Sequence, residues 1–372
     1  MKRVDKLKII ADQNMPLIAE LFAEFGDIQL MAGRDIQRRQ LLDADVLLVR
    51  SVTRVDQALL EGTSVTFVGS ATIGTDHIDL DYLHRAGIQF AHAPGCNAEA
   101  VVQYDLSAMS YLEPEWQNKT LGIIGCGNVG GRLYRRMRDL GIRCKVYDPF
   151  LSESDIPDLT DLEQVLACDI ICVHTPLTTG EPFPTYHMLD FSRLQQIKTG
   201  GLIINAGRGP VVDNQALLKL FRAGSQLRVV LDVWESEPSI ETELLKYVSL
   251  ATPHIAGYSL EGKINGTRRV FEAFKQWAGI DVTETSETVS GEPFALQPLS
   301  LNRAILACYD VSQDHRRMIQ AISEAGSDVE QVARRFDKLR RDYPVRREFS
   351  HFGIDRAEDD LDQYRSLGFR II

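Results

Sequence analysis

Residues 119–148 read KTLGIIGCGNVGGRLYRRMRDLGIRCKVYD, and this stretch decides the fold. TLGIIG is a short apolar run that reads as a buried strand. GRLYRRMRDLG reads as a helix closed by Gly141, and CKVYD as the next strand. Between the first strand and the helix stand Gly125, Gly127 and Gly130, with Asn128 and Val129 in the same loop. The first glycine suits a tight turn, the second lets a pyrophosphate approach the backbone, and the third permits close strand–helix packing. The helix N-terminus then faces the phosphates. Asp148 ends the second strand, 18 residues beyond Gly130, where a carboxylate accepts hydrogen bonds from the ribose hydroxyls of NAD and repels the 2′-phosphate of NADP. A lone GxGxxG is weak evidence; with strand, helix and distal acid in register, the stretch predicts an NAD site.

The same alternation extends outward on both sides. DIICVHT, GGLIINAG, LRVVLDV and YVSLAT continue the series as strands. Upstream, KIIAD, the apolar-periodic MPLIAELFAEFG, ADVLLVRS and SVTFVGS form an earlier series of the same kind. Two α/β units with parallel sheets follow from this pattern. PGCNAEAVVQYDLSAMSYLE and GKINGTRRVFEAFKQWAG are the expected helical crossings between them, and in the latter Val270, Phe271, Phe274 and Trp277 share one face. The first unit is then discontinuous, with the nucleotide unit inserted into it. TETSETVSGEP, from residue 283, reads as a polar linker; beyond it come NRAILACYDV and two helical stretches, one with capping-box spacing from Ser327 to Glu330.

The length of 372 residues suits two or three domains, and a net charge of −11 argues against general binding to nucleic acid or anionic membrane. An anionic substrate must therefore be captured by local basic residues. The six cysteines match no metal or redox spacing, and Cys168 and Cys172 sit inside an apolar run that reads as core, so no metal is expected. There is neither a signal peptide nor an apolar stretch of about 18 residues, so a cytoplasmic location is expected.

Three residues carry the chemistry. Arg208, in INAGRGPVVD, follows an apolar strand inside a glycine-flanked turn, where its planar fork suits a carboxylate. Taken alone it fits a surface ion pair as well. His254 lies in the loop ATPHIAGY, and an imidazole exchanges a proton with a hydroxyl near neutral pH. Glu237, in LDVWESEP, is a carboxylate able to orient that ring and favour its protonated form.

The order GxGxxG, Asp, HTPL, INAGRG, DVWESEP, PHIAGY over residues 8 to about 280 resembles the D-isomer-specific 2-hydroxyacid dehydrogenases, in which Arg, Glu and His occupy these motifs. The resemblance implies two Rossmann-like, doubly wound parallel-sheet domains with a deep cleft, plus a small α+β C-terminal dimerisation domain. Residues 1–98 and 260–284 would form the substrate-binding lid, 99–259 the NAD domain and 285–372 the dimerisation domain. Arg208, Glu237 and His254 would be catalytic. Besides the glycine loop and Asp148, Thr175, Ala206, Gly207, Arg208, Asp232 and Gly257 would line the NAD site. LLVRSVT, SATIGTDHID, APGCNAEAVVQY and YPVRREF narrow the resemblance to a member of the family acting on a phosphorylated four-carbon 2-hydroxy acid, as a homodimer. Ser51, Thr72 and Tyr258 would contact that substrate, and Arg50 is the candidate for its phosphate, with an ordinary ion pair as the alternative. The rivals are a phosphoglycerate- or glyoxylate-type dehydrogenase and an NAD-sensing binding protein that shares the architecture.

Overall fold

The computed structural model describes residues 6–280, 293–297, 300–326, 328–356 and 360–372. Most of the polar stretch from residue 283, and the proposed cap Ser327, lie outside them. The chain divides into two compact units, Met1–Asn97 with Ser259–Ser290, and Ala98–Tyr258 with Gly291–Ile372. Both junctions fall at the first turns of the two helices expected to cross between units, Ala98–Leu112 and Leu260–Trp277.

The first unit holds strands β1 (Leu7–Asp12), β2 (Gly26–Met31), β3 (Val46–Val49), β4 (Phe67–Ser70) and β5 (Gln89–His92). They form one parallel sheet in the order β2-β1-β3-β4-β5. The buried runs VLLV and FVGS make its centre, because a parallel sheet covered on both faces needs apolar side chains pointing both ways. On one face Val270, Phe271 and Phe274 of helix Leu260–Trp277 pack against Ile9, Val46, Leu48 and Phe67. These three are the buried members of the stripe read from the sequence, and Trp277 is partly buried beside them.

The second unit contains β6 (Thr120–Ile124), β7 (Arg143–Tyr147), β8 (Ile170–Val173), β9 (Leu202–Asn205), β10 (Arg228–Leu231) and β11 (Leu250–Ala251). All are parallel, in the order β11-β10-β9-β8-β6-β7. The chain reverses its direction of travel across the sheet at β6, and ligands of such sheets bind beyond the strand ends at that point. The glycine loop leaves β6 there.

The C-terminal residues belong to this second unit. A small parallel sheet, β12 (Phe294–Leu296), β13 (Phe352–Ile354) and β14 (Arg370–Ile371), accompanies helices Leu301–Cys308, Val311–Ala325, Val329–Arg341 and Leu361–Leu367. Leu301, Ile305, Tyr364 and Leu367 share a core with Val146, Ile170 and Val230, while Met318, Ile322 and Phe336 join the core of the opposite face. Asp328 caps helix Val329–Arg341 by accepting from the amides of Glu330 and Gln331.

Candidate active site

The turn after β10 builds the site from its own backbone. Asp232 follows that strand directly and is 1 % exposed. Its Oδ1 accepts from the Thr252 hydroxyl at 2.6 Å and the Ile255 amide at 2.8 Å, and Oδ2 from the Ala256 amide at 2.9 Å. The residue expected to line the NAD site thus organises the loop that carries His254. Burial pushes its carboxyl up, against the lowering effects of His254, Thr252 and the two amides.

His254 itself has a left-handed backbone, φ 57°, held by its amide donating to the Asp232 carbonyl at 2.7 Å. Its Nδ1 lies 2.8 Å from Oε2 of Glu237. The other carboxylate oxygen, Oε1, accepts from the Trp234 amide at 2.7 Å. Burial works to raise the Glu237 carboxyl, but the His254 charge, their hydrogen bond, the Arg340 charge and the Trp234 amide outweigh it, and the net shift is downward. Glu237 is therefore an ionised partner for an imidazolium.

Arg208 stands at the start of a 3-10 turn, Gly209–Val211, on the loop after β9. Asn205 at the strand end donates to the Arg208 carbonyl at 3.0 Å and accepts from the Gly207 amide at 3.2 Å. Gly209 lies flat against the Trp234 carbonyl, so that a Cβ there would collide with it. Backbone packing thereby sets the Arg208 loop against the turn that carries Glu237. All three residues singled out in the sequence belong to adjoining loops at the C-terminal ends of β9, β10 and β11.

The cofactor residues fit a dinucleotide on several counts. A Cβ on Gly130 would run into the Gly125 carbonyl oxygen, and Gly125 has φ 87°. A Cβ on Gly127 would meet nothing, so its side is open to a ligand. Helix Gly130–Asp139 has no side-chain cap, which leaves its first amides available for an anion. Asp148 is oriented at the loop by accepting from the amides of Cys126 at 2.9 Å and Phe150 at 3.1 Å. Thr175, beyond β8, has a buried hydroxyl with no hydrogen-bond partner. Ala206 and Gly207 follow β9, and Gly257 follows Ala256 in the His254 loop.

In the first unit, Val49 and Ser70 are paired residues on neighbouring strands, so Ser51 and Thr72 both lie just past the C-terminal sheet edge. Ser51 is exposed; the Thr72 hydroxyl donates to the Gly74 carbonyl at 2.9 Å. Arg50 donates through Nε to the buried Asp12 at 3.1 Å. The ion pair weighed as the alternative for this residue is present.

Several participants gave no sequence signal. Trp234 orients Glu237, Thr252 bridges Asp232 to the Tyr104 hydroxyl at 2.8 Å, and Arg346 donates to the carbonyls of Ala256 and Ala100. His174 of HTPL and Asp105 are enclosed side by side, Nε2 to Oδ2 2.9 Å, with the Cys172 sulfur close by. Burial pushes the Cys126 and Cys168 thiols up to about 11, and Cys172 well above its ordinary value, which removes them as nucleophiles near neutral pH.

Residues 97–256 match the family described as D-isomer specific 2-hydroxyacid dehydrogenase, NAD binding domain. Erythronate-4-phosphate dehydrogenase of Teredinibacter turnerae is 47 % identical over 98 % of this chain and 99 % of its own length. The chain belongs to the erythronate-4-phosphate dehydrogenase family. The Klebsiella pneumoniae protein of the same name is 43 % identical, over 98 % of this chain and 99 % of that one. Among solved structures, NAD-bound 3-phosphoglycerate dehydrogenase of Entamoeba histolytica superposes with TM-score 0.64 at 23 % identity, covering 74 % of this chain and 96 % of that one. D-lactate dehydrogenase of Aquifex aeolicus, complexed with NAD and lactic acid, gives 0.63 at 22 %, covering 73 % and 95 %. This chain is an NAD-dependent 2-hydroxyacid dehydrogenase. Residues 288–368 match a family described only as a domain of unknown function.

Proposed function

We propose that this chain oxidises 4-phospho-D-erythronate at C2 to (R)-3-hydroxy-2-oxo-4-phosphobutanoate with NAD, as a step of pyridoxine 5′-phosphate (vitamin B6) biosynthesis. The observation that carries the chemistry is the 2.8 Å bond between His254 Nδ1 and Glu237. It occupies one ring nitrogen and leaves Nε2 to exchange the proton. The substrate class is supported by the family membership.

In this reading Arg208 holds the substrate carboxylate through its planar fork. His254, neutral at the start, takes the C2 hydroxyl proton as the C2 hydrogen departs with its electron pair, and Glu237 stabilises the imidazolium that results. Bound NAD supplies the hydride acceptor. The glycine loop and the amides opening helix Gly130–Asp139 would hold its pyrophosphate, and Asp148 its ribose. Asp232 acts through the loop it organises. Ser51, Thr72, Arg50 and Tyr258 complete the proposed substrate contacts, and the protein acts as a homodimer through its C-terminal residues.

The test is the rate of NADH formation by the purified chain with 4-phospho-D-erythronate beside 3-phospho-D-glycerate. The expected kcat/KM favours the four-carbon acid by a factor of about 100 or more, the discrimination a well-built polar site achieves. A higher value for phosphoglycerate overturns the substrate assignment. Binding of NAD without turnover of either acid overturns the enzymatic one and favours a sensing role.

A further inference from the structure

Helix Val329–Arg341 carries several cations that hold carboxylates: Arg334 with Glu330 at 3.1 Å, Arg335 with Glu324 at 2.8 Å, and Arg341 with Asp342 at 3.1 Å. Arg340 differs. Among the described residues it has no carboxylate within ion-pair distance, although it hydrogen-bonds Tyr258 and the Glu237 and Asp337 charges act on it; its Nε is buried without a hydrogen-bond partner, and its guanidinium lies 5.9 Å from the centre of the Tyr258 ring. Taking a guanidinium out of water without a counter-ion is expensive, so buried arginines are ordinarily paired. A guanidinium with no carboxylate in direct contact, set beside catalytic groups, can receive an anion that arrives.

The surroundings say where that anion belongs. Tyr258 is four residues from His254 on the same loop, and Tyr343 packs edge-on to its ring at 5.8 Å, holding it in place. Glu237 feels the Arg340 charge but is already bonded to His254. A phosphorylated 2-hydroxy acid brings two anionic groups, and Arg208 is assigned to one. Arg50 shares its charge with Asp12, and a chain of net charge −11 offers no general attraction for the other.

We propose that Arg340 is a substrate-binding, specificity-determining residue whose guanidinium receives the phosphoryl group beside Tyr258. The assignment rests on the reading of the substrate as a phosphorylated acid. It gives the C-terminal segment, matched only to a domain of unknown function, a part in the active site itself.

The experiment compares the full-length wild type with Arg340→Gln and Arg340→Lys on 4-phospho-D-erythronate and on D-erythronate, which lacks the phosphate. For Arg340→Gln the expected kcat/KM on the phosphorylated acid falls on the order of 10–100-fold, mainly through KM, while that on D-erythronate moves less than about 3-fold. Arg340→Lys should recover part of the loss, since it restores the charge without the fork. Equal losses on both acids, or no loss on either, overturn the proposal, because a purely structural arginine does not distinguish them. If Arg340→Gln fails to fold, the same selective loss, smaller in size, is required of Arg340→Lys. A second arm titrates inorganic phosphate calorimetrically and is independent of the substrate's identity. Binding that weakens in the variants supports the assignment even where wild type does not turn over 4-phospho-D-erythronate. Unchanged phosphate binding removes it.

Discussion

At the scale of single residues, the pairing of His254 with Glu237 supports the proposed division of labour. The carboxylate is shared between the imidazole and the Trp234 amide, which fits the proposed role of an orienting anion rather than a second base. His254→Ala is expected to lower kcat by about 10²–10⁴-fold while NAD affinity, measured by fluorescence titration, stays near wild type. Near-normal turnover would remove the proton-transfer role. The depressed Glu237 carboxyl also has a consequence for stability. Its folded-state value lies below its unfolded one, so its contribution is fully present above about pH 5 and is lost as pH falls through the folded value. Glu237→Gln should therefore give a melting temperature that declines less steeply than wild type below about pH 4. Parallel Tm–pH curves for the two proteins would contradict the shift. The residue types of the site were legible in the sequence, because Arg, Glu and His in strand-end loops have few other uses. That Asp232 would be spent on three bonds beneath the loop was not legible, since these partners lie 20 to 24 residues away.

Elements divide according to how local their causes are. The loop between β6 and its helix was readable because each glycine answers a constraint within a few residues. Gly130 avoids the Gly125 carbonyl, whereas Gly127 faces open space. The two should separate on substitution. Gly130→Ala is expected to destabilise the fold by about 1–3 kcal/mol, as overpacking does, and Gly127→Ala to leave Tm unchanged while weakening NAD binding about tenfold or more. Comparable thermal losses in both variants would mean that the second glycine has a purely structural role. Strand β2 escaped the sequence reading. GDIQLM is an edge strand that is mostly exposed, so it lacks the continuous apolar run that marked VLLV and LIIN. Strand β5, QFAH, is also only partly buried at its edge of the sheet. No helix among the described residues is long and apolar enough to cross a membrane.

For the whole molecule, the C-terminal residues change meaning once placed. The sequence reading set them apart as a separate domain behind a polar linker; in the structure Leu301, Ile305 and Tyr364 share one core with the NAD unit, and Phe336 joins the other. Ending the chain at residue 285 would uncover apolar faces of helix Ala98–Leu112 and β11 rather than merely detach a dimerisation module. The expected product is insoluble or fails to melt cooperatively. A soluble, NAD-binding monomer from the truncated chain would contradict this. Sequence alone determined the parallel α/β class and the glycine loop with its acid, and it proposed the three reactive side chains, because strand and helix periods and turn chemistry act over a few neighbouring residues. Only tertiary structure decided that Asp232 supports the His254 loop, that Arg50 answers Asp12, and that Arg340 lies beside Tyr258. Burial and charge pairing are sums over residues distant in the chain, and nothing in a local window carries them.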